Sequence, residues 1–387
     1  MTYMKQPRLR LESLTTLPDI ELLSPDWERL LAEDKAEGFF RSPSWYLSWI
    51  QHIRPDTQPL VLAVRHDDKV VAIAPFCLRK QHGCLRVLSL AGSDVVCGEY
   101  LDIVAHPEFR TQALHCIWSN LLSGRSRWDM MSLNAIRGES DLHWEAQNRA
   151  VESGLMIRSE EQVCPFIELP PTFEEYLGRL SRKRRKHFGR AMRIFREKGI
   201  EIRTYTEPHE LGAAIDQLID LHTLRWKTLG KPGTLGQPGF REFLKNLAGR
   251  QNKAGTFRVY VLEEGGVAKA ALLNFHCGSS ALQFQNGFDP HWALAQHSPG
   301  TVLVLHAIRE ALEAGIGCYD FLRGAEDYKF QFATRCRPTT NVFLARTLRA
   351  RIYLLLKDLR ATLGRYKQSL GNSKPSAAVC EWIFVSE

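Results

Sequence analysis

Between residues 257 and 288 apolar and polar positions alternate in three runs, divided by Glu264-Gly265-Gly266 and Gly278-Ser279-Ser280. Period-two runs separated by glycine turns predict an antiparallel meander with strands over 257–263, 267–277 and 281–288. The period then lengthens. Val302, Leu305, Ile308 and Leu312 recur at helical spacing, which predicts a helix over 299–314 that Gly315 stops. A short apolar run at 317–322 reads as a buried strand, followed by a helix at 327–333 and a strand at 340–345. A helix joining two strands makes a right-handed parallel crossover, so the sheet is expected to splay beside the start of the first of these helices.

The first half shows the same order in different letters. Strands are predicted at 59–65, 70–78, 85–90 and 100–105, a helix at 107–122, a strand at 128–134, a helix at 139–151 and a strand at 163–169. LVLAVRHDDKVVAIAPFCL and FRVYVLEEGGVAKAALLNF are both strand, acidic turn, strand. The fold class that follows is α/β, with mixed sheets, in two duplicated units over 1–169 and 170–346. A basic amphipathic helix and tail occupy 347–387.

The copies differ at the start of their first crossover helix. In the second, Ser298-Pro299-Gly300 combines an N-cap residue, a proline suited to the first helical position and a glycine that admits another molecule to the backbone. Such a start holds anions on its amides. The first copy has Ala105-His106-Pro107-Glu108, with an acid in the first turn and no glycine, a poor seat for phosphate. If one copy binds an anionic cofactor, it is the second.

Composition narrows the partners only in part. The net charge of +8 suits an anionic partner such as nucleic acid, a phosphorylated cofactor, an acidic glycan or a lipid headgroup. Nine cysteines, at 77, 84, 97, 116, 164, 277, 318, 336 and 380, form no C-x-x-C pair. That pattern argues against a disulfide framework and a zinc site, so no metal is expected. The N-terminal stretch has no apolar core of signal-peptide type and no run approaches 18 apolar residues, so a cytoplasmic protein is expected.

Two basic helices stand out. Arg182-Lys183-Arg184-Arg185-Lys186-His187 continues through Arg190, Arg193 and Arg196, with Phe188, Met192 and Phe195 on one face. It reads as a solvated helix or a contact for phosphate or an acidic substrate; without an accompanying reader motif, no DNA partner is expected. The second, at 346–367, carries Ile352, Leu355, Leu356, Leu359 and Leu363 at helical spacing. It either packs on the second unit or lies on an anionic membrane, which would place the protein on the inner face.

His222 and Trp226 lie four apart on one helix face with Arg225 beside them. A guanidinium and an indole suit an oxyanion and an apolar sugar face, so a small-molecule or glycan acceptor fits as well as a purely structural anchor. Asn274, Gln283, Gln285 and Asn286 dot the meander with uncharged amides, and those of one strand that point the same way, such as Gln283 and Gln285, could line an acceptor groove or form a solvated face. Asp320, at the end of an apolar strand, either orients the acceptor and takes its proton or caps the turn at Arg323-Gly324.

These stretches together carry a family resemblance. Arg182-Lys183-Arg184-Arg185 leading to Glu197-Lys198-Gly199, the segment from His222 to Trp226, Gln296 to Thr301, and Asp320-Phe321-Leu322-Arg323-Gly324 with Tyr328-Lys329-Phe330 resemble the GNAT acyltransferase superfamily. The tandem arrangement is similar to its FemAB-like and CelD/BcsL-like branch, and the resemblance covers residues 170–346 best. It implies acetyl-CoA or another acyl-CoA as co-substrate, bound by Gln296, His297, Ser298, Pro299, Gly300, Thr301 and Lys329. It implies Tyr328 as the acid that protonates the leaving thiolate, with Asp320 assisting the acceptor. His222, Arg225, Trp226, Asn274, Gln283, Gln285 and Arg323 would hold that acceptor, an exopolysaccharide or cell-envelope compound such as an amino sugar. Two alternatives stay open: a FemAB-like aminoacyltransferase using aminoacyl-tRNA, and a non-catalytic GNAT scaffold for an acidic ligand.

Overall fold

The computed structural model describes residues 9–34, 38–93, 98–123, 127–231, 233–251 and 255–371. Cys97, Cys380 and the tail over 372–387 lie outside the described residues. In the first half the elements are β1 (Leu9–Leu14), α1 (Leu17–Leu22), α2 (Ser24–Glu33), α3 (Pro43–Ser48), β2 (Gln58–His66), β3 (Lys69–Gln81), β4 (Leu85–Leu90), β5 (Val104–Ala105), α4 (Arg110–Leu122), β6 (Met130–Arg137), α5 (Asp141–Glu152) and β7 (Met156–Glu168). The second half opens with α6 (Phe173–Arg179), α7 (Arg182–Glu197), β8 (Glu201–Tyr205), α8 (Pro208–Thr228) and α9 (Phe240–Gln251). It continues through β9 (Phe257–Glu264), β10 (Val267–Cys277), β11 (Ser280–Phe288), α10 (Pro299–Glu313), β12 (Cys318–Asp320), α11 (Lys329–Phe332), β13 (Arg335–Ala345) and α12 (Leu348–Gly371).

The two expected meanders form, β2 with β3 and β4, and β9 with β10 and β11, all antiparallel. Each is followed by a parallel partner, β6 beside β4 and β12 beside β11. Both parallel pairs are three residues long, Val87 to Ser89 against Met130 to Ser132 and Ser280 to Leu282 against Cys318 to Asp320. Beyond them the strands diverge. The predicted strand at 100–105 shrinks to Val104 and Ala105, and that at 317–322 to three residues. In both stretches a non-glycine residue adopts positive φ, Tyr100 at 56° and Leu322 at 56°, which extended pairing does not tolerate.

All strands belong to one sheet, whose middle runs β4-β6-β13-β7-β12-β11. The two units exchange their last strands. β13, from the second half, lies between β6 and β7, while β7, from the first, joins β13 to β12, each pairing antiparallel. The β7–β13 ladder runs from Met156 opposite Ala345 to Phe166 opposite Arg335. The expected boundary at 169/170 therefore follows a strand that is hydrogen-bonded into the second unit's sheet. Neither unit can complete its sheet without the other.

A shared core reinforces this. Phe39, Phe40 and Trp45 of the first half pack against Phe243, Phe257, Phe275 and Phe284 of the second, with Phe39 stacked on Phe275 at 4.0 Å between centroids. Each buried aromatic of this kind contributes about 1.5–3 kcal/mol over its exposed state. The opposite face of the second sheet carries its own core, where Phe188, Ala191 and Phe195 of α7 meet Trp292 and α10. That packing fixes the basic helix α7 beside the start of α10.

The C-terminal helix α12 was expected on the second unit or a membrane. Its Ala350 and Leu354 are buried against Leu85, Val87, Met130 and Ala345, so it covers the β4–β6–β13 region.

Candidate functional site

The divergence of β11 from β12 opens a notch whose wall is the rest of β11. A β-bulge at Phe284 shapes that wall, because Asn274 of β10 faces Gln283 whereas Leu273 faces Gln285. One extra residue inverts the face of everything after it. The expected alignment of Gln283 with Gln285 is thereby corrected: Gln285 lies on the α8 side with Leu273 and Phe284, and Asn286 takes its place beside Gln283. Strict alternation would not place Asn286 beside Gln283, for that reason.

A connected polar network results. Asn274 Nδ2 donates to Tyr319 Oη at 3.0 Å, Tyr319 donates to Gln283 Oε1 at 3.0 Å, and Gln283 Nε2 donates to Tyr328 Oη at 3.3 Å. The Asn286 side chain lies in the same network, its Oδ1 accepting from Arg225 at 3.0 Å. The Tyr328 hydroxyl accepts from the Gln283 amide, so its own proton is directed away from it. Burial pushes this phenol's pKa well up, with Glu326 adding to the shift and Arg225 opposing it. The group is a neutral proton donor at physiological pH.

Helix α8 brings the acceptor candidates to the same place. It approaches closely at Gly287, where a Cβ would lie 2.3 Å from the His222 amide nitrogen. His222 is buried, and its Nδ1 lies 2.8 Å from the Asn286 carbonyl. An imidazole that donates from Nδ1 keeps a lone pair on Nε2, and Nε2 has no partner among the described residues. Burial lowers the His222 pKa, so the ring is neutral near pH 7. Arg225 lies over the Phe288 ring at 4.7 Å, and Trp226 packs 5.9 Å from the His222 ring.

The start of α10 departs from the expected cap. Ser298 adopts the left-handed region, with φ 63° and ψ 60°, and its side chain caps nothing. Its carbonyl instead accepts from Thr301 N at 3.0 Å and Val302 N at 3.4 Å. Pro299 has no N–H, so Gly300 keeps the one amide of this turn without a backbone acceptor among the described residues. A Cβ on Gly300 would meet nothing within 4 Å, so no contact inside the chain calls for glycine there. Gln296, His297 and Ser298 face His187 and Arg190 of α7 across a cavity of about 270 Å³. One open amide, a helix N-terminus, the Arg190 guanidinium and the His187 imidazole fit a phosphate group. The residues present thus suit acyl-CoA.

Two expected roles move. Lys329 is buried, and its Nζ donates to the Arg323 carbonyl at 2.6 Å and the Leu322 carbonyl at 3.3 Å, with Glu326 at 3.0 Å. It fastens the 322–329 loop and faces no phosphate. Asp320 is fully buried: Tyr100 donates to its Oδ2 at 2.7 Å, Leu322 N to its Oδ1 at 2.7 Å, and Arg337 lies 3.6 Å away. Its oxygens hold the positive-φ turn at Leu322, a positioning role in place of the expected proton acceptor.

Around Asp320 the first half contributes residues the sequence did not single out. Glu99 is fully buried with Oε1 2.6 Å from Arg323 Nε. Burial pushes its carboxyl up to about 7, against the pull of Arg323. The signal was weak, a lone Glu-Tyr pair after a glycine, because only the strand exchange brings residues 99–100 to 320–323. Among the described residues no group of three or more His, Cys, Asp or Glu converges as a metal site, and the seven described cysteines are free.

Residues 182–330 match the family profile described as Acetyltransferase (GNAT) domain. No curated protein sequence matches the chain significantly. Among solved structures the chain is similar to FemX, at 10% identity and a TM-score of 0.59, covering 89% of this chain and 99% of that one. It is also similar to the C-terminal domain of a putative lysylphosphatidylglycerol synthetase from Agrobacterium fabrum, at 12% identity and TM-score 0.52, covering 86% and 95%. L-PGS from Bacillus licheniformis follows at 11% identity and TM-score 0.50, covering 87% and 95%. At these identities the likeness speaks to fold. Sheet topology and profile match agree, and residues 182–330 form a GNAT domain that makes this protein an acyltransferase.

Proposed function

We propose that the protein moves an acyl group from acyl-CoA to an amine or hydroxyl of a cell-envelope or exopolysaccharide-related acceptor, such as an amino sugar. The observation that carries this reading is the Tyr328 hydroxyl, held by the Gln283 amide beside the β11–β12 notch with its own proton directed elsewhere. Acyl-CoA supplies the thioester whose carbonyl carbon is attacked. Loop 296–301, with His187 and Arg190, holds its phosphates, and a backbone amide on β11 past Leu282 steadies the carbonyl oxygen as charge develops. Tyr328 gives its proton to the departing sulfur. Arg225 and Trp226 orient the acceptor, and the neutral His222 offers a lone pair near it. Holding both reactants at reacting distance supplies the larger part of the acceleration. An envelope acceptor is supported by the basic charge of the chain and by the likeness to a domain of a putative lysylphosphatidylglycerol synthetase.

A second reading rests on α7. Arg182, Lys183, Arg185, Lys186, Arg190 and Arg193 are all exposed on it, and an array of that length suits a polyanion such as aminoacyl-tRNA as the donor. Calorimetric titration with acetyl-CoA and a longer acyl-CoA separates the two. Micromolar binding lost in Gly300→Glu is expected. Absence of binding by either thioester, with binding of aminoacyl-tRNA, would replace the first reading by the second.

A further inference from the structure

Six of the twelve large apolar side chains exposed among the described residues belong to α12: Leu348, Ile352, Leu355, Leu356, Leu359 and Leu363, each 47–72% accessible. At 100° per residue they fall within an arc of about 100°, a continuous aliphatic ridge. The ridge is not a loosely placed face. On the opposite side Ala350 and Leu354 are buried against strands, Arg351 donates to the Gly154 carbonyl at 2.6 Å, and Asp358 and Lys357 pair with Arg158 and Glu160 at 2.6 and 2.7 Å. These contacts fix the rotation of the helix and turn the ridge outward. Exposed Arg349 and Arg360 border it along one edge.

We infer that this ridge is a membrane-docking surface for anionic lipid. Protein interfaces rely on aromatic anchors at a core depleted of charge. This ridge holds only leucine and isoleucine beside arginines, on a chain of net charge +8. That composition fits a helix lying in the headgroup boundary, with its aliphatic side among the acyl chains and its cations on phosphates. Docking would hold the body of the enzyme against the surface through contacts that α12 already makes, with no segment spanning the bilayer. Among the described residues no helix is long and apolar enough to cross one.

Flotation of the full chain with phosphatidylglycerol-containing and pure phosphatidylcholine vesicles tests this. The expected result is binding to the anionic vesicles that weakens as salt is raised, and little binding to the neutral ones. Leu355→Glu with Leu359→Glu is expected to lower anionic binding by roughly tenfold or more without changing the melting temperature, since both side chains are exposed. Arg349→Glu with Arg360→Glu is expected to remove the preference for anionic lipid. Failure to bind phosphatidylglycerol vesicles, or binding unaffected by the leucine changes, would overturn the inference. A dimer in sedimentation velocity that the leucine changes dissolve would assign the ridge to a second copy. Vesicle binding that appears only when the chain is ended at residue 371 would assign it to the chain's own tail.

Discussion

The β4–β6 and β11–β12 notches have the same plan and different contents. Each is a three-residue parallel pair that then diverges, and each follows an antiparallel meander. In the second, Gln283 donates to the Tyr328 phenol with the Asn286–Arg225 pair in the same network, and the neighbouring helix begins at Pro299-Gly300 with space around the glycine. In the first, Ser132 donates to Asn134 at 3.0 Å and Asn341 accepts from the Ala135 amide at 2.8 Å. Its cavity of about 320 Å³ is bordered by Tyr353 and Lys357 of α12 and by Arg323 from the other unit. Its helix start is closed differently: His106 Nδ1 accepts from the Glu108 amide at 3.2 Å, and the Glu108 carboxylate occupies the first turn. Topology alone therefore does not make an acyl site. What distinguishes the notches is which amides remain open and which proton donor stands beside them.

The comparison is broken most sharply at Tyr328. Tyr328→Phe keeps the ring and removes the proton, so acyl-CoA turnover, read as released thiol, is expected to fall by ~10²-fold or more with affinity nearly unchanged. Turnover within threefold of the parent would remove Tyr328 from the chemistry. Next in size, Gly300→Glu places a carboxylate at the open amide and is expected to weaken acyl-CoA binding by about tenfold or more, some 1.4 kcal/mol. Glu108→Gly in the first notch is expected to leave that affinity unaltered, and an equal effect at both positions would show that the wrong notch has been assigned.

The pair that joins the units gives a pH signature. Glu99 titrates near 7 in the folded chain, above its ordinary 4.5, so the folded state holds the proton more tightly. Its contribution to stability is full below about 4.5 and is lost as pH rises through 7. Between pH 5 and 8 the loss is on the order of 2–3 kcal/mol. Glu99→Gln is expected to flatten this part of the stability curve in thermal melts across that range. A slope identical to the parent's would place the titration elsewhere.

The smallest effects test the bulge. Asn286→Ala is expected to slow turnover by roughly tenfold through loss of the hydrogen bond that holds Arg225 in the site, a change of about 1–1.5 kcal/mol. Gln285→Ala, on the other face, is expected to stay within twofold. The reverse order would mean that β11 keeps a plain two-residue alternation.

Much of the fold was legible because alternation and helical spacing are local. The meander 257–288, the helix starting at Pro299 and the repeat of this order in the first half follow from residues a few positions apart. The helices α1, α2, α3, α6 and α9 and the strands β1 and β8 were not anticipated, since short segments such as Phe39-Phe40 and Trp45-Tyr46 have no clear period and take their shape from the core they share. Within the site, His222, Arg225, Gln283 and Tyr328 were nameable from residue type and motif. The place of Asn286 beside Gln283 was hidden by one inserted residue at Phe284, and Glu99 and Tyr100 by the strand exchange.

Local patterning was enough for the two meanders and the long amphipathic helices, for which of two helix starts has an open glycine, and for where positive charge collects, because these depend on side-chain type and on neighbours along the chain. The exchange of β7 and β13, the burial of Asp320 beside Tyr100, and the outward face of the α12 ridge came from the whole fold. They depend on pairings between residues about 170 to 220 positions apart, as in Phe166 with Arg335 and Tyr100 with Asp320. No local period encodes such pairings; burial and hydrogen-bond satisfaction over the whole sheet select them.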